Sequence, residues 1–279
     1  MIILFNCGGR TGNQLFQISH AFSYRTEKEW LVSVGFGATR SLLDGSLKKH
    51  WLSIDNTLLQ KIIGTFLYPL FYHGLVRTGI SSSHYESNNR CVIRPGRMAF
   101  LTIMRGEFES FTHLAAELAL HFRLNKAVLA KVRPIIDSIP RGKTPVFLHV
   151  RRSDFQSLSL ALPDKYYLKA IRLFRDRHPD SFFFIVGDDP DHAETIFRQI
   201  EAKIVSRMSP FEDMALMASC AGGILSNSTF AWWGAFFGKG KLGYVVPRFW
   251  SGWACKEWRP PEIFSDFMTD ILNVEDDSD

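Results

Sequence analysis

The chain has 279 residues, 46% hydrophobic and 22% charged, and its 33 Lys and Arg against 28 Asp and Glu give a formal charge of +5. That length allows one large or two ordinary domains, and the composition excludes disordered and fibrous classes. The charge suits an anionic ligand or a membrane surface and is too small to argue for nucleic acid, while four scattered cysteines (Cys7, Cys91, Cys220, Cys255) spell neither a zinc ribbon nor a disulfide framework.

Ile2–Asn6 is a continuous apolar run, the length of a strand buried on both faces. It predicts a strand rather than a signal peptide, so the cytoplasm is the expected compartment. Gly8-Gly9-Arg10-Thr11-Gly12 follows as a turn, residues 13–29 as a helix and residues 30–35 as a second strand. This is a βαβ unit with a glycine-rich first turn. The spacing is not a dinucleotide fingerprint, since no acidic residue ends the next strand, and no Gly-Lys-Ser/Thr makes it a P-loop. From Ala38 to Phe100 the pattern is mixed. Within it, the apolar run Ile62–Val76 is shorter than the roughly 20 residues a bilayer span requires. It is expected to form a buried helix or an acceptor-side loop, with a peripheral membrane contact as the other reading. Residues 108–122 and 126–139 read as helices, the second with Pro134 as a kink or boundary.

Ile139-Pro140-Arg141-Gly142-Lys143-Thr144-Pro145 has the composition of a linker, which divides the chain into domains 1–140 and 141–279. Strands are expected at 146–150, 181–187, 203–206, 222–226 and 242–246. Helices are expected at 163–178, 192–202, 211–220 and 229–238. Strands alternating with helices of this length imply a parallel, doubly wound sheet, so both halves look Rossmann-like.

Ligands of such sheets bind beyond the carboxyl ends of the strands, and four polar clusters lie there. His149-Val150-Arg151-Arg152-Ser153-Asp154 closes one strand. Two adjacent arginines at a buried strand end are costly unless they face an anion or an internal carboxylate. Ser226-Asn227-Ser228-Thr229 joins a strand to a helix, where hydroxyls beside free N–H groups make either an anion site or an ordinary cap. Asp188 and Asp189 follow a third strand, and a carboxylate there can accept from a ribose or a guanine edge. Capping of the next helix is the expected role of Asp191. In the first turn, Arg10 and Asn13 supply donors beside Gly12. The peptidase motif H-E-x-x-H and the esterase motif G-x-S-x-G are both absent.

Taken in order, these stretches resemble the bacterial α-1,2-fucosyltransferases of glycosyltransferase family 11, over nearly the whole chain. The H-x-R-R-x-D element is intact as His149 to Asp154. The G-x-G-N-Q-x-F-Q signature appears as Gly9 to Gln17, with one extra residue between its glycines. A third element runs from Glu212-Asp213-Met214 to Ser226-Asn227-Ser228-Thr229-Phe230-Ala231-Trp232-Trp233-Gly234, where Thr229 and Ala231 replace two serines of the family pattern.

The resemblance implies an α/β fold of GT-B architecture, two Rossmann-like domains facing a cleft, with an acceptor-side first domain and a GDP-sugar-binding second one. It implies inverting, metal-independent transfer of L-fucose from GDP-β-L-fucose to a galactose hydroxyl of a glycan acceptor, as in O-antigen biosynthesis. No cofactor beyond the donor substrate is expected. Arg151 would clamp the β-phosphate, and Ser228 and Thr229 would hold phosphate oxygens at a helix N-terminus. Asp188 or Asp189 and His149 would read the guanosine, with Arg10, Gly12 and Asn13 reaching from the first domain. Arg152, Asp213, Ser226, Asn227 and Phe230 complete the expected donor site. Asp154 or His149 would serve as general base. A different nucleotide-sugar donor, a metal-dependent enzyme using Asp189 and Asp191, and a non-catalytic carbohydrate-binding module are the alternatives.

Aromatics are 14% of the chain, and five of its seven Trp (Trp232, Trp233, Trp250, Trp253, Trp258) crowd the C-terminal part. Adjacent positions on a helix point about 100° apart. Of Trp232 and Trp233, at most one is therefore expected to face a ligand, and the remainder of the group to be scaffold.

Overall fold

The computed structural model describes residues 1–87, 90–108, 122–205 and 208–250, together with 256, 268 and 270–272. The helix expected at 108–122, apart from its two end residues, and Trp253 and Trp258 lie outside the described residues. The described chain falls into two compact units, Met1–Asn125 and Lys126–Asp279. The division precedes the helix Lys126–Ile136 (α5) instead of following it at Pro140. That helix packs with the second unit, where Lys131 pairs with Glu212 at 3.5 Å. Pro134 is accommodated inside it and does not end it.

The first unit carries the sheet β3-β2-β1-β6-β4-β5. Its strands are Ile2–Phe5 (β1), Leu31–Val34 (β2), Trp51–Ile54 (β3), Ser81–Ser87 (β4), Arg90–Arg94 (β5) and Met98–Arg105 (β6). All neighbours are parallel except the β4–β5 hairpin at one edge. Helix Thr11–Tyr24 (α1) crosses from β1 towards β2, with Leu15, Phe16 and Ile18 fully buried. A short helix, Gly37–Leu42 (α2), follows β2.

The expectation for Ile62–Val76 is corrected on one side. The segment is helical, starting where Asn56 Oδ1 accepts from the Leu58 and Leu59 amides. Thr57–Ile62 (α3) and Tyr68–Phe71 (α4) alternate with two π-helical turns, Ile63–Leu67 and Tyr72–Val76. Ile63, Tyr68, Phe71, Tyr72 and Leu75 pack on a core of Phe5, Val34, Val76 and Ile103. Leu58, Leu59, Ile62, Phe66, Leu67 and Leu70 face outward and are exposed. The run is apolar on both faces, and one sheet can cover only one of them.

The second unit is an all-parallel sheet of order β12-β11-β10-β7-β8-β9. Its strands are Thr144–Val150 (β7), Ser181–Gly187 (β8), Ala202–Val205 (β9), Gly223–Ile224 (β10), Tyr244–Pro247 (β11) and Asp270–Leu272 (β12). Read from the first strand of the unit, this is the 3-2-1-4-5-6 order of a Rossmann fold, with its switch point between β7 and β10. The helices are Ser153–Ser157 (α6), Asp164–Arg177 (α7), Pro190–Ile196 (α8), Pro210–Ala218 (α9) and Thr229–Gly238 (α10). Helix α7 starts after Pro163 with Asp164 in its first turn and ends with Arg175 and Arg177, charges that complement the helix dipole. Its Tyr166, Tyr167, Ala170, Ile171 and Phe174 bury against Val146, Leu148, Phe183 and Ile185 of the sheet. Helix α9 opens with a reciprocal capping box between Ser209 and Glu212. Trp232 and Trp233 on α10 are both fully buried, each packed against Phe236, and Trp250 is buried as well. The described part of the tryptophan cluster is scaffold.

Candidate active site

Three loops converge at the carboxyl ends of β10, β7 and β8, on and beside the switch point. The first follows β7. Val150 stands opposite Gly187 in the ladder, and a Cβ on Gly187 would lie 2.4 Å from the Val150 carbonyl oxygen. Glycine therefore lets the two strand ends close up, which brings Asp188 under the arginines. Arg151 lies with Nη1 2.6 Å from Asp188 Oδ2 and Nη2 2.5 Å from Asp154 Oδ1. Its guanidinium also sits over the Phe155 ring, 5.4 Å from the centroid.

Asp188 is the hub of this loop. Its Oδ1 accepts from the Arg152 amide at 2.9 Å, and its Oδ2 from the Ser153 hydroxyl at 2.6 Å. Burial would raise its pKa, but those hydrogen bonds and the Arg151 charge outweigh burial and hold the carboxyl below its usual value. Both oxygens are engaged by protein groups, which ties the loops after β7 and β8 together. Arg152 turns to Asp164 at 3.3 Å and Asp189 at 3.5 Å. The internal pairing weighed from the sequence is thus present for both arginines. Arg151 nonetheless keeps 15% side-chain exposure, and its partner Asp154 has 41%.

Asp189, not Asp191, is the N-cap of α8, accepting from the His192 amide at 3.1 Å. The residue immediately before Pro190 is kept out of the helical region by the proline ring, with φ −139° and ψ 78°, whereas Asp191 is already helical. Among the described residues, no group of three His, Cys, Asp or Glu is arranged to hold a metal.

The loop after β10 is set deep. Ser226, Asn227 and Ser228 are all buried. Ser226 Oγ lies 2.7 Å from His149 Nδ1, joining the β10 loop to β7. Burial, with Arg151 nearby, pushes the His149 pKa down to about 4 against the pull of Asp188, so the ring is neutral at physiological pH. Phe230 packs beside it, 5.8 Å between ring centroids. Ser228 caps α10 by accepting from the Phe230 amide, which leaves Thr229 as the first helical residue. Asn227 Nδ2 donates to the Leu160 carbonyl at 2.9 Å, while its Oδ1 is buried without a hydrogen-bond partner. An orphaned buried acceptor costs about 1–3 kcal/mol unless a ligand donor meets it.

The remaining expected residues lie on other elements. Asp213 lies in the first turn of α9, its pKa raised to about 7 by burial and by Glu212, and its carboxylate bonds none of the groups above. Arg10, Gly12 and Asn13 belong to the first unit, at the carboxyl end of β1 and the start of α1. There, Gln17 accepts from the Cys7 amide and donates to the Gly8 carbonyl, and Gln14 donates to the Gly9 carbonyl. The glutamines of the Gly-Asn-Gln stretch therefore shape the loop itself.

Sequence reasoning missed Asp164 and His192. Asp164 Oδ1 receives both Arg152 and His192 Nε2, the latter at 2.8 Å. In sequence it reads as an ordinary acid behind a helix-starting proline, and only the fold brings it to the arginine.

The model for glycosyl transferase family 11 matches residues 85–256 of this chain. An α-1,2-colitosyltransferase of Escherichia coli is 24% identical over 265 residues, 88% of this chain and 90% of that protein. A galactoside 2-α-L-fucosyltransferase of Bos taurus is 28% identical over 171 residues, 54% of this chain and 45% of that protein. Among solved structures, POFUT1 in complex with GDP aligns at TM-score 0.53 and 12% identity, covering 88% of this chain and 97% of that one. The NodZ α-1,6-fucosyltransferase soaked with GDP-fucose aligns at TM-score 0.50 and 13% identity, covering 85% and 91%. At such identities the structural likeness concerns the fold alone, two parallel-sheet α/β domains of the GT-B class.

Proposed function

Because this glycosyltransferase belongs to glycosyl transferase family 11, the α-1,2-fucosyltransferase family, we propose that it transfers L-fucose from GDP-β-L-fucose to O2 of a galactose in a glycan acceptor. The reaction inverts the anomeric centre and needs no metal. The observation that carries this reading is the Arg151 guanidinium, fixed by two carboxylates at the Rossmann switch point beside the buried residues Ser226, Asn227 and Ser228. Loss of GDP leaves an oxocarbenium-like sugar and a departing diphosphate. A cationic donor held in place beforehand stabilises that charge without reorganising.

In this reading Arg151 takes the β-phosphate, exchanging the more exposed Asp154 for a phosphate oxygen. Ser228 and Thr229 hold phosphate oxygens at the α10 N-terminus, and Asn227 Oδ1 receives a donor from the nucleotide sugar. Asp188 is a positioning residue for Arg151. Neutral His149, with Phe230, flanks the nucleotide. With its pKa near 4, His149 is a weak base at neutral pH. Asp154 is therefore assigned the proton of the attacking hydroxyl. Arg10, Gly12 and Asn13 serve the donor from the first unit, and Asp213 from α9.

The test is GDP release from GDP-fucose with a galactoside acceptor, with the linkage of the product determined. Activity that survives excess chelator excludes a metal-dependent site at Asp189 and Asp191. A GDP affinity unchanged by Arg151→Ala would sink the assignment. The name of the Escherichia coli relative favours one second reading, a donor carrying colitose in place of fucose. A side-by-side donor comparison decides between them.

The outward stripe of Leu58, Ile62, Phe66 and Leu70 supports a peripheral contact with an anionic bilayer at the cytoplasmic face. No acidic residue lies between Asp55 and Glu86, whereas Lys61 and Arg77 do. An exposed apolar face with cations and no acid alongside suits contact with the boundary of an anionic headgroup layer. No helix among the described residues is long and apolar enough to cross a membrane. Preference for anionic over neutral vesicles is the measurable signature.

A further inference from the structure

The first unit has its own switch point. Beside β1 the chain runs outward to β2 and β3 on one side, and its return places β6 and β4 on the other. Open α/β sheets bind ligands in the crevice outside the carboxyl ends of strands at such a point. A cavity of about 440 Å³ lies there, within the range of small-molecule sites. Cys7 enters it just past the end of β1, Arg105 and Glu107 from the end of β6, and Tyr85 from β4. Tyr68 and Tyr72 close it from the inner face of the helical run.

The lining has a definite chemistry. Tyr68 and Tyr72 stack with ring centroids 6.0 Å apart and 30° between planes, and the edge contact of Phe5 holds Tyr68 at 4.9 Å. The Arg105 guanidinium lies 4.3 Å over the Tyr68 ring, which fixes its position. Three phenols thus offer flat apolar faces with polar tips, and one guanidinium and one carboxylate offer donors and acceptors. Among the residues that line the cavity the Arg105 cation is matched by the Glu107 carboxylate, while Arg94 lies over the Tyr85 ring, 5.0 Å from its centroid. An uncharged pyranose finds rings for its C–H face and partners for its hydroxyls.

We propose that this cavity binds the terminal hexose of the acceptor glycan, with Tyr72 and Tyr85 supplying the ring faces and Arg105 and Glu107 bonding the hydroxyls. The assignment rests on the transferase reading above and adds the residues that select the acceptor.

The experiment uses the full chain and four variants, Tyr72→Ala, Tyr72→Phe, Tyr85→Ala and Glu107→Gln. Initial rates are measured against a galactoside acceptor, and GDP affinity is measured on the same preparations by calorimetry. The alanine variants should raise the acceptor KM about tenfold, the worth of a lost ring contact. GDP affinity should stay within about twofold, a change of less than half a kcal/mol. Tyr72→Phe keeps the ring and the fold and should retain most of the acceptor affinity. An unchanged acceptor KM in all four variants overturns the proposal, and so does a parallel loss of GDP affinity. GDP binding by the unmodified protein without transfer to any galactoside would instead overturn the acceptor assignment alone. Failure to bind GDP at all would overturn the transferase reading and this site with it.

Discussion

Arg151 Nη1 and Asp188 Oδ2 stand 2.6 Å apart and join the ends of two adjacent parallel strands. The pair is partly buried, and each partner has a second hold, Arg151 on Asp154 and Asp188 on the Arg152 amide and the Ser153 hydroxyl. Arg151→Ala is expected to weaken GDP binding about a hundredfold, the loss of two charge-assisted hydrogen bonds. Asp188→Asn should weaken it less, because the Arg152 and Ser153 amides still have an acceptor. If the two residues act as one unit, the double variant is no worse than Arg151→Ala alone, as calorimetric titration with GDP would read.

The neutral state of His149 has a pH signature. Its pKa is about 4 in the folded chain against 6.5 for an ordinary histidine. Between those values the unfolded chain binds more protons, so this residue makes stability rise with pH across that window. Once folded it does not titrate above about pH 5. The kcat/KM profile should therefore show no step near 6.5 that vanishes in His149→Asn. Such a step would mean that the ring is solvated and basic.

Asp213 runs the other way. Its carboxyl is raised from 3.8 to about 7, so the folded chain keeps a proton that the unfolded chain releases. Its contribution to stability is full below about pH 4 and is lost as pH rises through 7. Asp213→Asn should flatten the fall in melting temperature between pH 5 and 8, on the scale set by the raised pKa. It should also leave the variant more stable than the parent at pH 8. Scanning calorimetry across that range checks it, and a parallel fall in both proteins would refute it.

The outward stripe predicts a membrane phenotype. Phe66→Ser with Leu70→Ser should abolish co-flotation with anionic vesicles and leave GDP binding intact. If the stripe instead covers a second copy of the chain, the parent will be a dimer at micromolar concentration and the variant a monomer, with no vesicle binding in either.

Much of the second unit could be read from its sequence because each element carries its own signal. Ser-Phe-Phe-Phe-Ile-Val-Gly is an apolar run of strand length ended by a glycine, and it is β8 from end to end. Ser228 followed by an apolar run gives α10 with its cap in place. The arginine cluster was legible because charge at the end of a buried strand must be matched. Its partners were only half legible. Asp188 and Asp154 are near in sequence or at a neighbouring strand end, but Asp164 reaches Arg152 from the far side of a loop. The stretch from Ala38 to Phe100 resisted for another reason. Its π-turns break the 3.6-residue period, and its helical run is apolar on the exposed face as well as the buried one. Trp232 and Trp233 show the converse, since angular spacing alone did not reveal that α10 is enclosed on both sides.

Strand β10 is only two residues long, pairing Gly223 with Phe147 and Ile224 with Leu148, while β7 continues two residues further. The Leu225 amide still donates to the Val245 carbonyl, so the upper edge of the sheet is stepped by about one residue, lower by roughly 3 Å at its centre than along β7 and β8. That notch is where Ser226 meets His149. A ligand seated there would sit partly within the thickness of the sheet, walled by main chain on either side. A longer β10 would raise the step, commit Ser226 to the strand ladder and turn a recess into a flat rim.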